Sequence, residues 1–149
     1  MKINKKEIYY KALEVVNEQI EKYQGEMDMI KESMDANDVK TDYDEDNRGK
    51  LLGDFEKNAD HLSHAREMKE TLSRLDLDHF SETVDFGSVV ETEKNYYFIS
   101  VPLGELQLEN GSSFFAISTE APVYEGLKGK KAGESYKFNG KEFKVIALH

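Results

Sequence analysis

Apolar residues recur three or four positions apart along the first 34 residues of the chain, with polar residues between them. This heptad spacing predicts a helix of about 28 residues, roughly 42 Å long. No proline interrupts the pattern, and Gly25 is its only weak point. The predicted seam consists of Tyr9, Leu13, Val16, Ile20, Tyr23, Met27, Ile30 and Met34.

A second apolar stripe follows a polar connection and predicts a second helix of nearly equal length. Two such stripes pair most readily as an antiparallel hairpin, because closing a short loop costs little entropy and each stripe covers the other. Docking of both stripes on a globular core, or pairing between two chains, would also satisfy the pattern. The second stripe consists of Leu52, Phe55, Ala59, Leu62, Ala65, Met68, Leu72 and Leu75.

Near residue 80 the apolar period changes from three or four to two, which is typical of strands. We predict strands over 88–93, 96–102, 105–109, 114–118, 135–139 and 142–149, with turns at Lys94-Asn95, Asn110-Gly111 and Asn139-Gly140. Between the fourth and fifth strands, Pro122 predicts a short helix capped by Ser118 or Thr119 and ended by Gly126 or Gly129. The predicted core is Val89, Phe98, Ile99, Phe115, Ile117, Leu127, Phe138, Phe143, Val145 and Ile146.

The predicted architecture is therefore α+β, with a helical hairpin over residues 1–80 and a mostly antiparallel sheet with one short helix over residues 81–149. The polar connection of the hairpin, at about residues 35–50, lies at its far tip. Asp42, Asp44, Glu45 and Asp46 crowd this connection. On composition alone, such a run is a solvated loop.

Composition limits the possible functions. The net charge of -10 disfavours a protein that coats DNA or RNA by itself. The sequence has no cysteine, so it forms no disulfide and uses no thiol nucleophile. The stretch MKINKKEIYYKALEVV lacks the apolar run and the small-residue cleavage site expected of a signal peptide, and no later segment has the apolar length expected of a membrane span. We expect a soluble cytoplasmic protein that binds neither membranes nor, independently, DNA.

The stretch ISTEAPVYEGLKGKKAGESYKFNGKEFKVIAL, residues 117–148, resembles the end of the GreA/GreB transcript-cleavage factors, a family of bacterial transcription elongation factors. The stretch FGSVVETE likewise resembles the first strand of that family's second domain. The order of parts agrees over nearly the whole chain, because the family has an antiparallel coiled coil followed by an FKBP-like α+β domain. In this sequence Ala121-Pro122 takes the place of a Ser-Pro pair, and Gly129, Lys130, Lys131, Gly133 and Glu134 fill a Gly-Lys-Lys-x-Gly-Asp/Glu turn.

The resemblance implies a partner and a mechanism. Its coiled coil would enter the secondary channel of RNA polymerase, close to the nascent RNA, while its FKBP-like domain docks on the polymerase. Asp42 and Glu45 match the family's Asp-x-x-Glu spacing, with Asp44 and Asp46 in support. These carboxylates would help to hold a catalytic Mg²⁺ shared with the polymerase, so that backtracked RNA is cleaved. The chain would act as a monomer, would bind no cofactor stably alone, and would be an accessory factor instead of an enzyme.

The sequence also departs from the family pattern. The stretch GDFEKNADH, from Gly53 to His61, copies the letters of the family's tip better and offers Asp54 as the first acid. In that register Lys57 replaces the second carboxylate, and equal helix arms favour the tip at 35–50. Arg48 and Lys50 beside the acids weaken the cleavage hypothesis. The alternative is a polymerase-binding inhibitor or regulator that does not promote cleavage, or a coiled-coil adaptor.

Two further groups of side chains are candidates for binding. His61 and His64, with Asp60, have the spacing of a helical metal pair, although such histidines are more often plain surface. Lysines cluster near the end of the chain and could form a docking face for an acidic protein partner, or simply a solvated surface. They are Lys128, Lys130, Lys131, Lys137, Lys141 and Lys144.

Overall fold

A computed structural model describes the backbone of residues 4–36 and 44–149, and the side chains of residues 4–35 and 48–149. Two long helices come first, and six strands with one short helix follow. None of the helices in these ranges is long and apolar enough to cross a membrane. The elements are α1 (Lys5–Ala36), α2 (Asp44–Ser73), β1 (Val89–Thr92), β2 (Tyr96–Ile99), β3 (Gly104–Gln107), β4 (Ser113–Ile117), α3 (Pro122–Leu127), β5 (Ser135–Phe138) and β6 (Lys141–Leu148).

The two long helices form the predicted hairpin within one chain. They are nearly equal, with 32 residues in α1 and 30 in α2. The ring of Tyr23 in α1 stacks on that of His61 in α2, and Arg66 Nη2 donates a hydrogen bond of 3.2 Å to Gln24 Oε1. These contacts pair the middle of one helix with the middle of the other.

Burial along the hairpin follows most of the predicted seam. Leu62, Ala65 and Leu72 are buried in α2, as is Val16 in α1. Most other seam residues are half-buried, because a single partner helix covers only one side of each stripe. The prediction is wrong at Leu52, which is 48% exposed while the preceding leucine is half-buried.

The first turns of α1 also differ from the predicted seam. Ile8 and Ala12 are fully buried, whereas Tyr9 and Leu13 are only half-buried. Ile8, Ala12 and Val16 lie four residues apart and share one face of the helix. The buried stripe therefore starts one position earlier than the heptad pattern predicts.

The six strands form one sheet in the order β3-β4-β2-β1-β6-β5. Every neighbouring pair is antiparallel except β2 and β4, which run parallel with Tyr97 opposite Phe115. The predicted mostly antiparallel sheet is thus confirmed. The predicted Asn139-Gly140 turn joins β5 to β6, and both residues have positive φ, 53° and 76°. Both positive values are typical of the type I′ turn, which matches the twist of paired strands.

The helix α3 packs on one face of the sheet. Val123, Tyr124 and Leu127 of α3 join a buried cluster with Val84, Val90, Tyr97, Ile99, Tyr136 and Val145. The predicted cap is wrong, since the N-cap is Ala121, with no side-chain hydrogen bond. Ser118 Oγ instead accepts a hydrogen bond from the N–H of Glu120, in the turn before the helix.

The core prediction is correct for half of its residues. Val89, Phe98, Ile99, Leu127 and Val145 are buried. Ile146 is wrong, being 46% exposed, because its neighbour Val145 occupies the core face and adjacent strand residues point to opposite faces. The remaining four are partly buried against the cluster, namely Phe115, Ile117, Phe138 and Phe143.

The chain divides into two compact units. One comprises Met1–Glu14 and Thr71–His149, and the other comprises Val15–Glu70. The first holds the whole sheet and the second most of the helical hairpin. The predicted domains, a hairpin over residues 1–80 and a docking domain over residues 81–149, were defined by function. That division stays a prediction.

Candidate functional site

The predicted acidic residues follow α1 in the sequence and continue into the first turn of α2. Asp42 belongs to residues 37–43, which lie outside the described residues. Asp44, Glu45 and Asp46 are the first residues of α2, and their side chains also lie outside the described part. Of the basic residues that follow, Arg48 is half-buried and has an interaction partner, whereas Lys50 is exposed.

The rival acidic stretch is part of a continuous helix. The helix α2 runs through Gly53–His61, as predicted, and Asp54 is exposed on it. The side-chain amide of Asn58 donates a hydrogen bond of 3.0 Å to the carbonyl oxygen of Asp54. Phe55 and Ala59 are half-buried and keep their places on the seam. Which carboxylates act, those of Asp42 and Glu45 or that of Asp54, stays a prediction.

The histidines of α2 have different surroundings. His61 is stacked on Tyr23, with ring centroids 4.9 Å apart and ring planes 24° apart. His61, His64 and Asp60 are all exposed. Within the described ranges, no group of three or more histidine, aspartate or glutamate side chains is placed to hold a metal ion. His61 therefore has a packing role between the two helices.

The turn after α3 is held by reciprocal hydrogen bonds. The N–H of Lys131 donates to Glu134 Oε1 at 2.9 Å, and the N–H of Glu134 donates to the carbonyl oxygen of Lys131 at 3.0 Å. Gly129 and Gly133 have positive φ, 73° and 91°, which glycine adopts without strain. The Gly-Lys-Lys-Ala-Gly-Glu motif thus specifies a defined loop.

This loop is also fixed to the segment that precedes β1. The N–H of Val84 donates to the carbonyl oxygen of Lys130 at 2.8 Å, and the N–H of Gly129 donates to the carbonyl oxygen of Val84 at 3.0 Å. The side chains of Lys128 and Lys131 are exposed, while Lys130 is half-buried. A fixed backbone therefore displays two lysines to solvent, and their part in docking stays a prediction.

The sheet contains a set of hydrogen-bonded polar side chains that the sequence pattern does not predict. Thr92 Oγ1 donates to the carbonyl oxygen of Asn95 at 2.8 Å and accepts from its N–H at 3.0 Å. The side-chain amide of Asn95 donates to the Tyr97 hydroxyl at 3.3 Å. Burial raises the pKa of the nearby Tyr136 hydroxyl. The threonine two residues before the Lys-Asn pair was the available signal, because such a hydroxyl closes turns.

A cavity of about 170 Å³ lies in the first compact unit, among Lys5, Arg74, His79 and Asp85. Lys5 Nζ donates a hydrogen bond of 3.1 Å to the carbonyl oxygen of His79. Burial lowers the pKa of Lys5, although the negative charges of Asp85 and Asp76 oppose this effect. Charges of both signs line the cavity, so they favour neither anions nor cations.

The solved structures that are similar to this chain include two of the protein Gfh1. The crystal structure of GreA factor homolog 1 (Gfh1) of Thermus thermophilus is 20% identical, covers 95% of this chain and 94% of its own, and has a TM-score of 0.34. A structure of the transcription factor Gfh1 is 21% identical over 95% of this chain and 92% of its own, also with a TM-score of 0.34. No protein-family model matches the sequence, and no curated protein does. At this TM-score the likeness carries no argument about function.

Proposed function

We propose that the chain is a Gre-type transcription elongation factor. In this proposal it binds RNA polymerase, inserts its helical hairpin into the secondary channel, and stimulates cleavage of backtracked RNA. The observation that supports the proposal best is where the acidic run falls. The helix α1 ends at Ala36 and α2 begins at Asp44, so Asp42 belongs to the connection and Glu45 to the first turn of α2.

The length of the hairpin suits delivery of these acids to a distant site. At 1.5 Å per residue, helices of 32 and 30 residues are roughly 45 Å long. A hairpin of two helices is also narrow, since each helix with its side chains is about 10–12 Å across. Such a hairpin can enter a channel that would exclude a globular domain.

The acidic residues have the donor chemistry that the proposed role needs. Carboxylate oxygens are the hard ligands that Mg²⁺ prefers. Magnesium shared with the polymerase would polarise the scissile phosphate and lower the pKa of an attacking water. Asp42 and Glu45 would supply oxygen ligands and orient that water, with Asp44 and Asp46 adding negative charge. The chain would contribute ligands to the active site of its partner, and thus act as an accessory factor.

The second half of the chain would dock on the polymerase surface. The loop after α3 has a fixed backbone and exposes Lys128 and Lys131. Lysines on a preorganised loop can face acidic residues of a partner with little loss of conformational freedom. We include Lys130 in this docking face because it belongs to the same loop.

A second candidate function is inhibition of the polymerase without cleavage. It is favoured by Arg48 and Lys50, which follow Asp44 and Asp46 by four residues each along α2. Positions four apart share one face of a helix, so these cations compete with a metal ion for the carboxylates. The hairpin would then enter the channel and block it.

The experiment uses backtracked elongation complexes of the RNA polymerase from the source cell, with Mg²⁺. We expect the chain to accelerate shortening of the RNA, and Asp42→Ala with Glu45→Ala to abolish this acceleration while polymerase binding is kept. The matched control is Asp54→Ala, which removes an exposed carboxylate of α2 and should retain activity.

Three results would contradict the proposal in different ways. Binding without shortened RNA, together with slower elongation, would establish the inhibitor instead. Loss of acceleration in Asp54→Ala alone would move the site to the rival register. Absence of polymerase binding would overturn both functions.

A further inference from the structure

The hairpin is packed unevenly along its length. Within Val15–Glu70, the buried apolar side chains of the described residues are Val16, Leu62 and Ala65. Between residues 17 and 35 of α1, and between 48 and 61 of α2, every described side chain is exposed or half-buried. We call these two stretches the distal arms. They gain little from burial, so backbone helix propensity must supply much of their stability.

Glycines weaken the same arms. Gly25 lies inside α1, and Gly49 and Gly53 lie one turn apart inside α2. A Cβ added at any of the three would meet no atom within 4 Å, and none of them has positive φ. Neither close packing nor backbone conformation therefore requires glycine here. Glycine is nonetheless among the poorest helix formers, since it loses the most conformational freedom.

Two exposed apolar side chains belong to these arms. Met29 of α1 is 70% exposed and Leu52 of α2 is 48% exposed. By contrast, Leu62 and Ala65, further along α2, are 5% and 1% exposed. Helix α2 thus changes from a loosely packed half to a well-packed half near residue 61.

We propose that the distal arms open and close locally in the free protein while the rest of the hairpin stays folded, and that Gly25, Gly49 and Gly53 set this property. Local opening follows where few apolar side chains are buried and the backbone is intrinsically weak. A partner that holds the arms helical must order them on binding, which lowers its affinity and favours release. The hairpin would therefore be a reversible insertion element whose arms become fully ordered only in complex.

Amide hydrogen exchange of the intact free chain, followed by mass spectrometry, tests this proposal without any polymerase. We expect the amides of residues 48–61 to exchange at least about tenfold faster than those of residues 62–70, after correction for intrinsic rates. The double variant Gly49→Ala with Gly53→Ala should slow exchange in 48–61, by about fivefold for each substitution. Far-ultraviolet circular dichroism should show increased helicity.

The matched control is Ser63→Ala. It also introduces alanine at an exposed position of α2, but in the well-packed half of the helix. It should leave exchange in residues 48–61 unchanged. The proposal is overturned if residues 48–61 of the unaltered chain exchange as slowly as 62–70, or if the double variant leaves their exchange unchanged. Either result is independent of the RNA cleavage experiment, so the two proposals can fail separately.

Discussion

The imidazole of His61 stacks on the phenol ring of Tyr23, with 4.9 Å between ring centroids and 24° between ring planes. The contact joins α2 to α1 about midway along the hairpin, next to the hydrogen bond between Arg66 and Gln24. In a hairpin with few buried side chains, a single aromatic pair supplies a noticeable share of the interhelical attraction.

We therefore predict that His61→Ala lowers the free energy of unfolding by about 1 kcal/mol, because it removes the ring contact. Urea titration followed by circular dichroism measures this change. His64→Ala is the control, since His64 is an exposed histidine like His61, three residues further along the same helix, and the stack on Tyr23 belongs to His61. Equal effects of the two substitutions would show that the stack contributes nothing to stability.

Gly126→Ala should destabilise the sheet unit by about 1–3 kcal/mol, as overpacking does in tightly packed sites. A Cβ at this position would lie 2.5 Å from the carbonyl oxygen of Lys137, so α3 or β5 would have to move. Thermal unfolding measures the loss. The neighbouring exposed residue provides the control, because Glu125→Ala should change stability little. A Gly126→Ala protein as stable as the unaltered chain would contradict the close approach of α3 to β5.

The turn between β5 and β6 provides a third test. Gly140 has a φ of 76°, where an alanine is strained, so Gly140→Ala should cost about 1–2 kcal/mol. Asn139 also has positive φ, and Asn139→Gly should be nearly neutral because glycine adopts this conformation readily. Chemical denaturation of both variants measures which substitution lowers the free energy of unfolding more. A larger loss from Asn139→Gly than from Gly140→Ala would exclude the type I′ turn.

The fourth prediction concerns pH. Burial raises the pKa of Tyr136 above its ordinary value of 10.0, so the folded state resists ionisation of this hydroxyl. The unfolded chain ionises once the pH passes about 10, and the folded protein should lose stability there. Burial also raises the pKa of Tyr96 and Tyr124, which adds to this loss. Lys5 acts in the opposite direction, since burial lowers its pKa.

The measurement is therefore a comparison of two proteins. The free energy of unfolding of Tyr136→Phe should fall less steeply between pH 9 and 11 than that of the unaltered chain, because one shifted hydroxyl is gone. Tyr10→Phe is the control, since Tyr10 is 59% exposed. The same slope in Tyr136→Phe and the unaltered chain would contradict the raised pKa.

Local patterns were sufficient to predict the element types. Heptad spacing predicts both long helices, and Asn139-Gly140 predicts the last hairpin because few other pairs adopt two positive φ values. Where two apolar residues are adjacent, the sequence does not tell which of them faces the core. Ile8 and Tyr9 compete for the seam in α1, and Val145 and Ile146 compete for the core face of β6. Tertiary contacts decide which residue is buried in both cases, and local sequence rules do not include such contacts.

The residues of the candidate site are harder to predict from local sequence patterns than the helices and strands. The spacing of acids in the sequence offers Asp42 with Glu45, and also Asp54, and the helical hairpin explains only why Asp54 belongs to an arm. The buried hydroxyls of Tyr97 and Tyr136 were missed because a strand pattern treats tyrosine as apolar. The hydrogen bond that the Tyr97 hydroxyl accepts from Asn95 depends on the turn that joins β1 to β2.

The compact unit that holds the sheet is discontinuous in sequence, because Val15–Glu70 separates Met1–Glu14 from Thr71–His149. The intervening residues are therefore an insertion whose size is adjustable. Adding seven residues to each helix preserves the heptad phase and extends the hairpin by about 10 Å, while the sheet keeps its own contacts. Evolution or protein engineering could thus change the length of the hairpin by duplicating or deleting whole heptads in pairs.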